Sequence, residues 1–200
     1  PQEGFEVIDN NLHFYGIDLM EIIKQYGTPL KITYLPKIGS QIKKAKRIFN
    51  VAIAKADYKG TYTYCYCTKS SHFSYVLHEA LKHDIHLETS SAFDIPLIRA
   101  LYAEKKIDKS IFIICNGYKR PQYIENIIGL LNDGFENVIP VLDSMNEFSH
   151  YDKRIKGRKK VKVGIRIAAG EEPNFEFYTS RLGIRYDEIR EFYIKNLKKS

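Results

Sequence analysis

Three ionisable side chains, Lys69, Glu88 and Arg166, stand near the ends of strand-like apolar stretches. Lys69 lies in residues 61–71, TYTYCYCTKSS, a run of β-branched, aromatic and cysteine residues typical of a strand. Alternation puts Tyr62, Tyr64, Tyr66 and Thr68 on one face and Thr63, Cys65, Cys67 and Lys69 on the other. The bulky face suits a cover of helices. The small face ends in a primary amine. Open sheets and barrels of parallel strands place their chemistry at the C-terminal ends of the strands. The bland reading is that Lys69 ends its strand in water, as most lysines do. In residues 85–89, His86, Glu88 and the following Ser90 share one face; in residues 161–167, Lys162, Gly164 and Arg166 share one. With the aliphatic faces under helices, Glu88 and Arg166 point inward with Lys69. A lysine, a carboxylate and an arginine at one rim suit either a charged cofactor or an ordinary ion-pair network, since buried charges need partners.

Other chemistry is poorly represented. Cys65-x-Cys67 has no second ligand pair at zinc spacing, so the residues read as buried thiols and no metal site is expected. His72, His78, His83 and His86 cluster without an HExxH pattern. The chain has no GxGxxG after its first strand, no GxxxxGK[ST] and no GxSxG, which argues against the corresponding nucleotide sites and a serine nucleophile elbow.

The elements that must position the three residues follow one rhythm. Residues 5–15 read as a hairpin turning at Asp9-Asn10-Asn11. A short helix over 17–26 is stopped by Gly27 and Pro29. Strands are expected at 30–34, 61–68, 85–89, 111–115, 138–142 and 161–167. Pro140 is awkward inside a central strand. Helices are expected at 36–56, 74–83, 94–103, 121–131 and 186–197, with one more opened by Ser144 and Glu147 as a capping box. In the helix over 36–56, Ile38, Ile42, Ala45, Phe49, Ala52 and Ala56 form the apolar stripe; Lys43, Lys44, Lys46 and Arg47 face solvent. Six alternations of strand and helix call for an α/β fold with parallel strands, an open sheet or a barrel two strands short of eight.

Composition agrees with a globular chain: 200 residues, 44% hydrophobic and 28% charged. No apolar run reaches the length of a membrane span, so no membrane partner is expected. Three cysteines, an odd count, argue against a disulfide framework and for a reducing cytoplasm. The net charge of +7 is concentrated in residues 153–162, KRIKGRKKVK. With no aromatic residues interleaved to stack on bases, this run reads as a solvated turn at the N-terminal face of the strands, and no nucleic-acid partner is expected. A basic nucleic-acid-binding protein remains the rival from that class.

Taken together, the segments resemble the pyridoxal-phosphate decarboxylases of the alanine-racemase-like class (fold-type III), which act on ornithine, arginine, diaminopimelate and carboxynorspermidine. Thr28-Pro29-Leu30 is similar to their opening strand and YCYCTKSS to the strand ending in the cofactor-bearing lysine. HLETSSAFDI is similar to the next strand and its acidic turn, matching Glu88 and Asp94. VGIRI is similar to the strand whose arginine lies beside the cofactor, and TSRLGIR, residues 179–185, to the segment after it, with Leu182 in place of an aromatic residue. ICNGYK followed by QYIENI resembles biosynthetic arginine decarboxylases in particular. Thr68 and Ser70 depart from the alanine and asparagine common around the lysine.

The resemblance implies a partial (β/α)8 barrel over residues 28–200 and an N-terminal hairpin and helix over 1–27, the hairpin belonging to a C-terminal β-domain beyond this sequence. It implies pyridoxal 5'-phosphate as cofactor, with Lys69 catalytic and Lys69, Glu88 and Arg166 binding the cofactor. Mg2+ enters by that resemblance alone. It also implies a small amino-acid substrate, arginine first, a homodimer or higher oligomer, and an N-terminal fragment inactive by itself. The alternatives are a decarboxylase of ornithine, lysine, diaminopimelate or carboxynorspermidine, or a non-catalytic pyridoxal-phosphate carrier on the same barrel.

Overall fold

A computed structural model describes residues 2–152, 154–155, 160–168 and 183–198. The chain forms two compact units, Pro1–Tyr34 and Leu35–Ser200.

The first unit is an antiparallel sheet of β1 (Phe5–Ile8), β2 (Asn11–Phe14) and β3 (Ile17–Asp18), followed by helix α1 (Leu19–Tyr26). Asp9 and Asn10 take φ of 48° and 65°, so the hairpin turns on these two residues and Asn11 already belongs to β2. Such primed turns match the strand twist, and Asn and Asp tolerate them. Asp18 caps α1 by accepting from the backbone N–H groups of Met20 and Glu21.

The second unit opens with helix α2 (Leu35–Lys55). Then come β4 (Cys65–Cys67), α3 (Ser74–Leu81), β5 (His86–Thr89), α4 (Asp94–Ala103), β6 (Phe112–Cys115), α5 (Pro121–Asn132) and β7 (Asn137–Leu142). A 3-10 turn over Met145–Phe148 leads into α6 (Ser149–Asp152). β8 (Gly164–Ile165) and α7 (Tyr186–Phe192), continued by a π-helical turn, complete the unit. The strands pair in parallel in the order β4-β5-β6-β7-β8, each beside its predecessor, as in a barrel opened along one seam.

Strand register sorts the side chains into two faces. Tyr66, Leu87, Ile113 and Val138 form one row. Leu87, Ile113 and Val138 are buried against helix residues including Leu77, Ile98 and Ile127. Cys67, Glu88, Ile114 and Ile139 form the neighbouring row on the opposite, less buried face. The expected alternation therefore holds where strands form. Ile113→Ala is expected to cost about 2–5 kcal/mol, because the cavity opens between strand and helix where neither can collapse fully. Urea unfolding would measure it, and a cost below about 1 kcal/mol would contradict the packing described.

Several expectations need correction. Residues 30–34 form no strand, so five parallel strands are found among the described residues. The Lys69 strand is three residues long and residues 61–64 lie outside it. α2 buries only Gly39 and Ile42; Phe49 stays half-exposed and stacks on Tyr62 with ring centroids 4.1 Å apart. Lys46, expected in solvent, donates from Nζ to the carbonyl of His83 at 2.9 Å. Ser144 makes no capping hydrogen bond, and Glu147 turns inward instead. Pro140 does sit within β7. Leu142 O accepts from Arg166 N on the β8 side, so by alternation the N–H that Pro140 lacks would also face β8. Pairing to β8 begins only at Val141, so the lost donor breaks no ladder bond.

Candidate active site

The end of β4 is locked by short-range hydrogen bonds. The Thr68 hydroxyl, fully buried, donates to the carbonyl of Glu88 at 3.1 Å and so ties β4 to β5 beyond their last paired residues. Ser70 Oγ donates to the carbonyl of Cys67 at 2.7 Å, and the Tyr66 hydroxyl to that of Ser71 at 3.0 Å. Lys69 stands exposed in this one-turn 3-10 helix (Thr68–Ser70) and takes part in no hydrogen bond or ion pair among the described residues. Its amine is a free donor on a fixed base.

Glu88 is on the neighbouring strand, paired in register with Cys67. Its Oε1 accepts from Asn116 Nδ2 at 3.1 Å. Asn116 is itself pinned, its backbone N–H donating to Thr89 O at 2.9 Å and its Oδ1 accepting from Gly117 N at 2.9 Å. Gly117 has φ of 79°, and a Cβ there would lie 2.9 Å from the carbonyl oxygen of Ser90, so this turn requires glycine. Asp94 accepts from the backbone N–H groups of Ser90 and Ser91 at 2.8 and 2.9 Å and from the Ser91 hydroxyl at 3.1 Å, which holds the loop after β5.

Arg166 directly follows β8, at the other edge of the sheet. Its guanidinium lies 3.6 Å from Asp143 Oδ1. Among the described residues, no hydrogen bond or ion pair joins any two of Lys69, Glu88 and Arg166. Lys69, in the turn that follows β4, and Glu88, on β5, are brought to the ends of adjacent strands; Arg166, just after β8, is three strands from Glu88.

Between them lies a buried polar group that the sequence reading passed over. Lys119 Nζ donates to the carbonyls of Gly117, at 2.8 Å, and Val141, and lies 3.3 Å from Glu147 Oε2. That oxygen also accepts from Asp143 N at 3.3 Å. Burial pushes the Glu147 carboxyl above the usual range, with Lys119 pulling it back. The signal available for Lys119 in the sequence is its place in ICNGYK, two residues after Gly117 at a strand end.

At the opposite end of the sheet, His86 Nδ1 accepts from the Phe112 backbone N–H at 3.1 Å, and the two rings meet edge to face. Lys162 Nζ lies 5.0 Å from the centre of the Phe112 ring and donates to Asn137 Oδ1 at 2.8 Å. This puts the last lysine of the basic run near the N-terminal ends of the strands; Lys153 and residues 156–159 lie outside the described residues, as do residues 179–182 of the TSRLGIR segment. Burial holds His86 below its ordinary value of 6.5, with Lys46 adding to this and Asp84 opposing it. The acceptor role of Nδ1 likewise needs the neutral ring. A depressed value in the fold gives stability that is present above about pH 6.5 and lost as pH falls through the folded value. The melting temperature is expected to drop between about pH 7 and pH 5, with a flatter profile in His86→Asn, whose amide oxygen can accept the same bond. Identical profiles would remove His86 as the cause.

No family model matches the chain. It is 25% identical over 199 residues to a biosynthetic arginine decarboxylase of Prochlorococcus marinus subsp. pastoris, covering 92% of this chain and 30% of the relative. It is 27% identical over 190 residues to one of Trichlorobacter lovleyi, covering 87% and 29%. By structure it is similar to the biosynthetic arginine decarboxylase of Campylobacter jejuni, with a TM-score of 0.70 and 19% identity over 99% of this chain and 33% of that one. It is also similar to the diaminopimelate decarboxylase of M. jannaschii in complex with L-lysine, with a TM-score of 0.75 and 16% identity over 98% and 44%. The fold is that of the fold-type III, alanine-racemase-like decarboxylases. The chain spans about 30% of the length of the arginine decarboxylases it matches in sequence, and five parallel strands of their barrel class are described here. Among the described residues no helix is long and apolar enough to cross a membrane.

Proposed function

We propose that this chain supplies the cofactor-bearing part of a pyridoxal-phosphate-dependent decarboxylase acting on a basic amino acid, with L-arginine as substrate and agmatine and carbon dioxide as products. The observation that carries the reading is Lys69: a primary amine without a partner among the described residues, at the C-terminal end of a parallel strand in a decarboxylase fold. An amine already held in an ion pair would be a poor group to join an aldehyde; this one is free to do so. Glu88 and Arg166 would complete the cofactor contacts, the first held by Asn116 and the second by Asp143. Bound there, pyridoxal phosphate supplies an electron sink for the bond to the substrate carboxylate. The chain's own part is to fix the cofactor through Lys69, keep a carboxylate in place on the next strand and present a guanidinium from the far edge. The net change would be loss of the carboxylate as carbon dioxide, with a proton replacing it on Cα.

Arginine is preferred because the relatives matched in sequence carry that name along most of this chain. The diaminopimelate enzyme similar in fold sets the main competitor. The test is carbon dioxide release by the full-length protein from arginine, ornithine, lysine, diaminopimelate and carboxynorspermidine, with pyridoxal phosphate and with or without Mg2+. Turnover of arginine at the highest kcat/KM is expected. Preference for another of the five would reassign the substrate. Binding of pyridoxal phosphate without turnover of any would make the protein a carrier. The functional unit is proposed to be a cytoplasmic homodimer or larger assembly.

A further inference from the structure

Asp143 is the first residue after β7, and its side chain is only 1% exposed. Neither carboxylate oxygen has a hydrogen-bond donor among the described residues. A buried carboxylate without donors stays ionised only beside a cation. Lys119, the buried cation among the described residues, is spent on Glu147 and two carbonyls. Among the described residues the cation left to Asp143 is Arg166, 3.6 Å away, with a side chain 40% exposed. Both backbones are pinned: Asp143 O accepts from Gly183 N at 3.0 Å, Arg166 N donates to Leu142 O at 3.0 Å, and Arg166 O accepts from Ile184 N at 2.7 Å. The strands are thus fixed, while the side-chain contact is a charge contact, too long for a hydrogen bond. Among the described residues this is the one side-chain contact of the guanidinium, and the Arg166 side chain stays partly exposed.

We propose that Asp143 is a positioning residue, whose buried carboxylate tethers the Arg166 guanidinium so that its free donors face an anionic group bound at the rim. The inference rests on the decarboxylase reading for the identity of that group. It assigns Arg166 the role of a directed hydrogen-bond donor whose charge Asp143 largely balances.

A double-mutant cycle in the full-length protein tests it, with Asp143→Asn, Arg166→Gln and the pair. Affinity for pyridoxal phosphate is read from the visible absorbance of the lysine-bound cofactor, and stability from thermal unfolding. Asp143→Asn is expected to weaken cofactor affinity about tenfold, and Arg166→Gln at least as much, with the pair no weaker than Arg166→Gln alone. Arg166→Gln should also lower the melting temperature, because it strands a buried charge. Adding Asp143→Asn should restore the melting temperature without restoring affinity, a split that a purely structural role would not give. Wild-type affinity in Asp143→Asn, or additive losses, would overturn the tether. If Asp143→Asn does not fold alone, a pair no more stable than Arg166→Gln would overturn it equally. Failure of the wild-type protein to develop the absorbance would sink the decarboxylase reading itself, while the stability arm would still judge the tether.

Discussion

Lys69→Ala in the full-length protein is expected to lower decarboxylation at least about a thousandfold while leaving the melting temperature almost unchanged. The two halves have different causes. The loss of rate follows from removing the amine through which the cofactor would be held and delivered. The unchanged stability follows from the surroundings of Lys69, which is exposed and without a hydrogen-bond or ion-pair partner among the described residues. Surface substitutions of this kind stay within about 0.5 kcal/mol. Lys69→Arg separates amine chemistry from charge. Arginine keeps the charge and exposure, but its delocalised guanidinium does not join aldehydes as a free amine does. Both variants should fail alike. Borohydride reduction of the loaded wild-type protein, followed by mass mapping, should find the cofactor on the peptide carrying Lys69. Turnover retained in Lys69→Ala, or cofactor trapped on another lysine, would remove Lys69 from the mechanism.

The sequence made Lys69 conspicuous because a strand gives a simple rule, two faces and an end. That rule located Leu87 and Thr89 under the helices and Glu88 on the opposite face, and it worked wherever a ladder formed. It failed at residues 30–34 and 61–64, where β-prone composition is present but no described strand pairs with it. Composition measures how well a side chain suits a half-buried pleat, and pairing depends on neighbours that local sequence does not name. Lys46 departs from its expected place for a related reason. Its helical position marks it as solvent-facing, but the loop between α3 and β5 brings the His83 carbonyl to it from 37 residues away. The buried polar cluster was the least legible. Ser144 and Glu147 have the spacing of a capping box, and the local pattern cannot tell that from a glutamate drawn inward by a lysine 28 residues earlier in the chain. Asn116 stands out in the sequence only as part of ICNGYK, with no role attached. Its importance comes from Glu88 on the adjacent strand, a contact set by register alone.

Lys119→Ala is expected to destabilise the protein by about 3–5 kcal/mol near neutral pH, the largest stability effect predicted for a single polar side chain here. The Lys119 side chain has no solvent exposure, and its Nζ joins the end of β6 to the end of β7 through the carbonyls of Gly117 and Val141. Its removal strips two carbonyls of a donor and leaves Glu147, itself 6% exposed, without its cation. The sign of the pH dependence follows from Glu147. Burial already raises its carboxyl above the ordinary 4.5, with Lys119 the main opposing influence. A raised value in the fold gives stability that is full below about pH 4.5 and is lost as pH rises through the folded value. Without Lys119 the folded value rises further, so the loss extends to higher pH. The cost of Lys119→Ala should therefore be smaller below about pH 4.5, where Glu147 is protonated in both proteins, than at pH 7. Lys119→Met combined with Glu147→Leu should recover much of the stability, since packed apolar side chains can replace a buried ion pair at little cost. Urea unfolding of the three variants at both pH values is the measurement. An equal cost at both, with no recovery in the double variant, would mean that Lys119 acts through the two carbonyls alone and that its pairing with Glu147 contributes nothing to the fold.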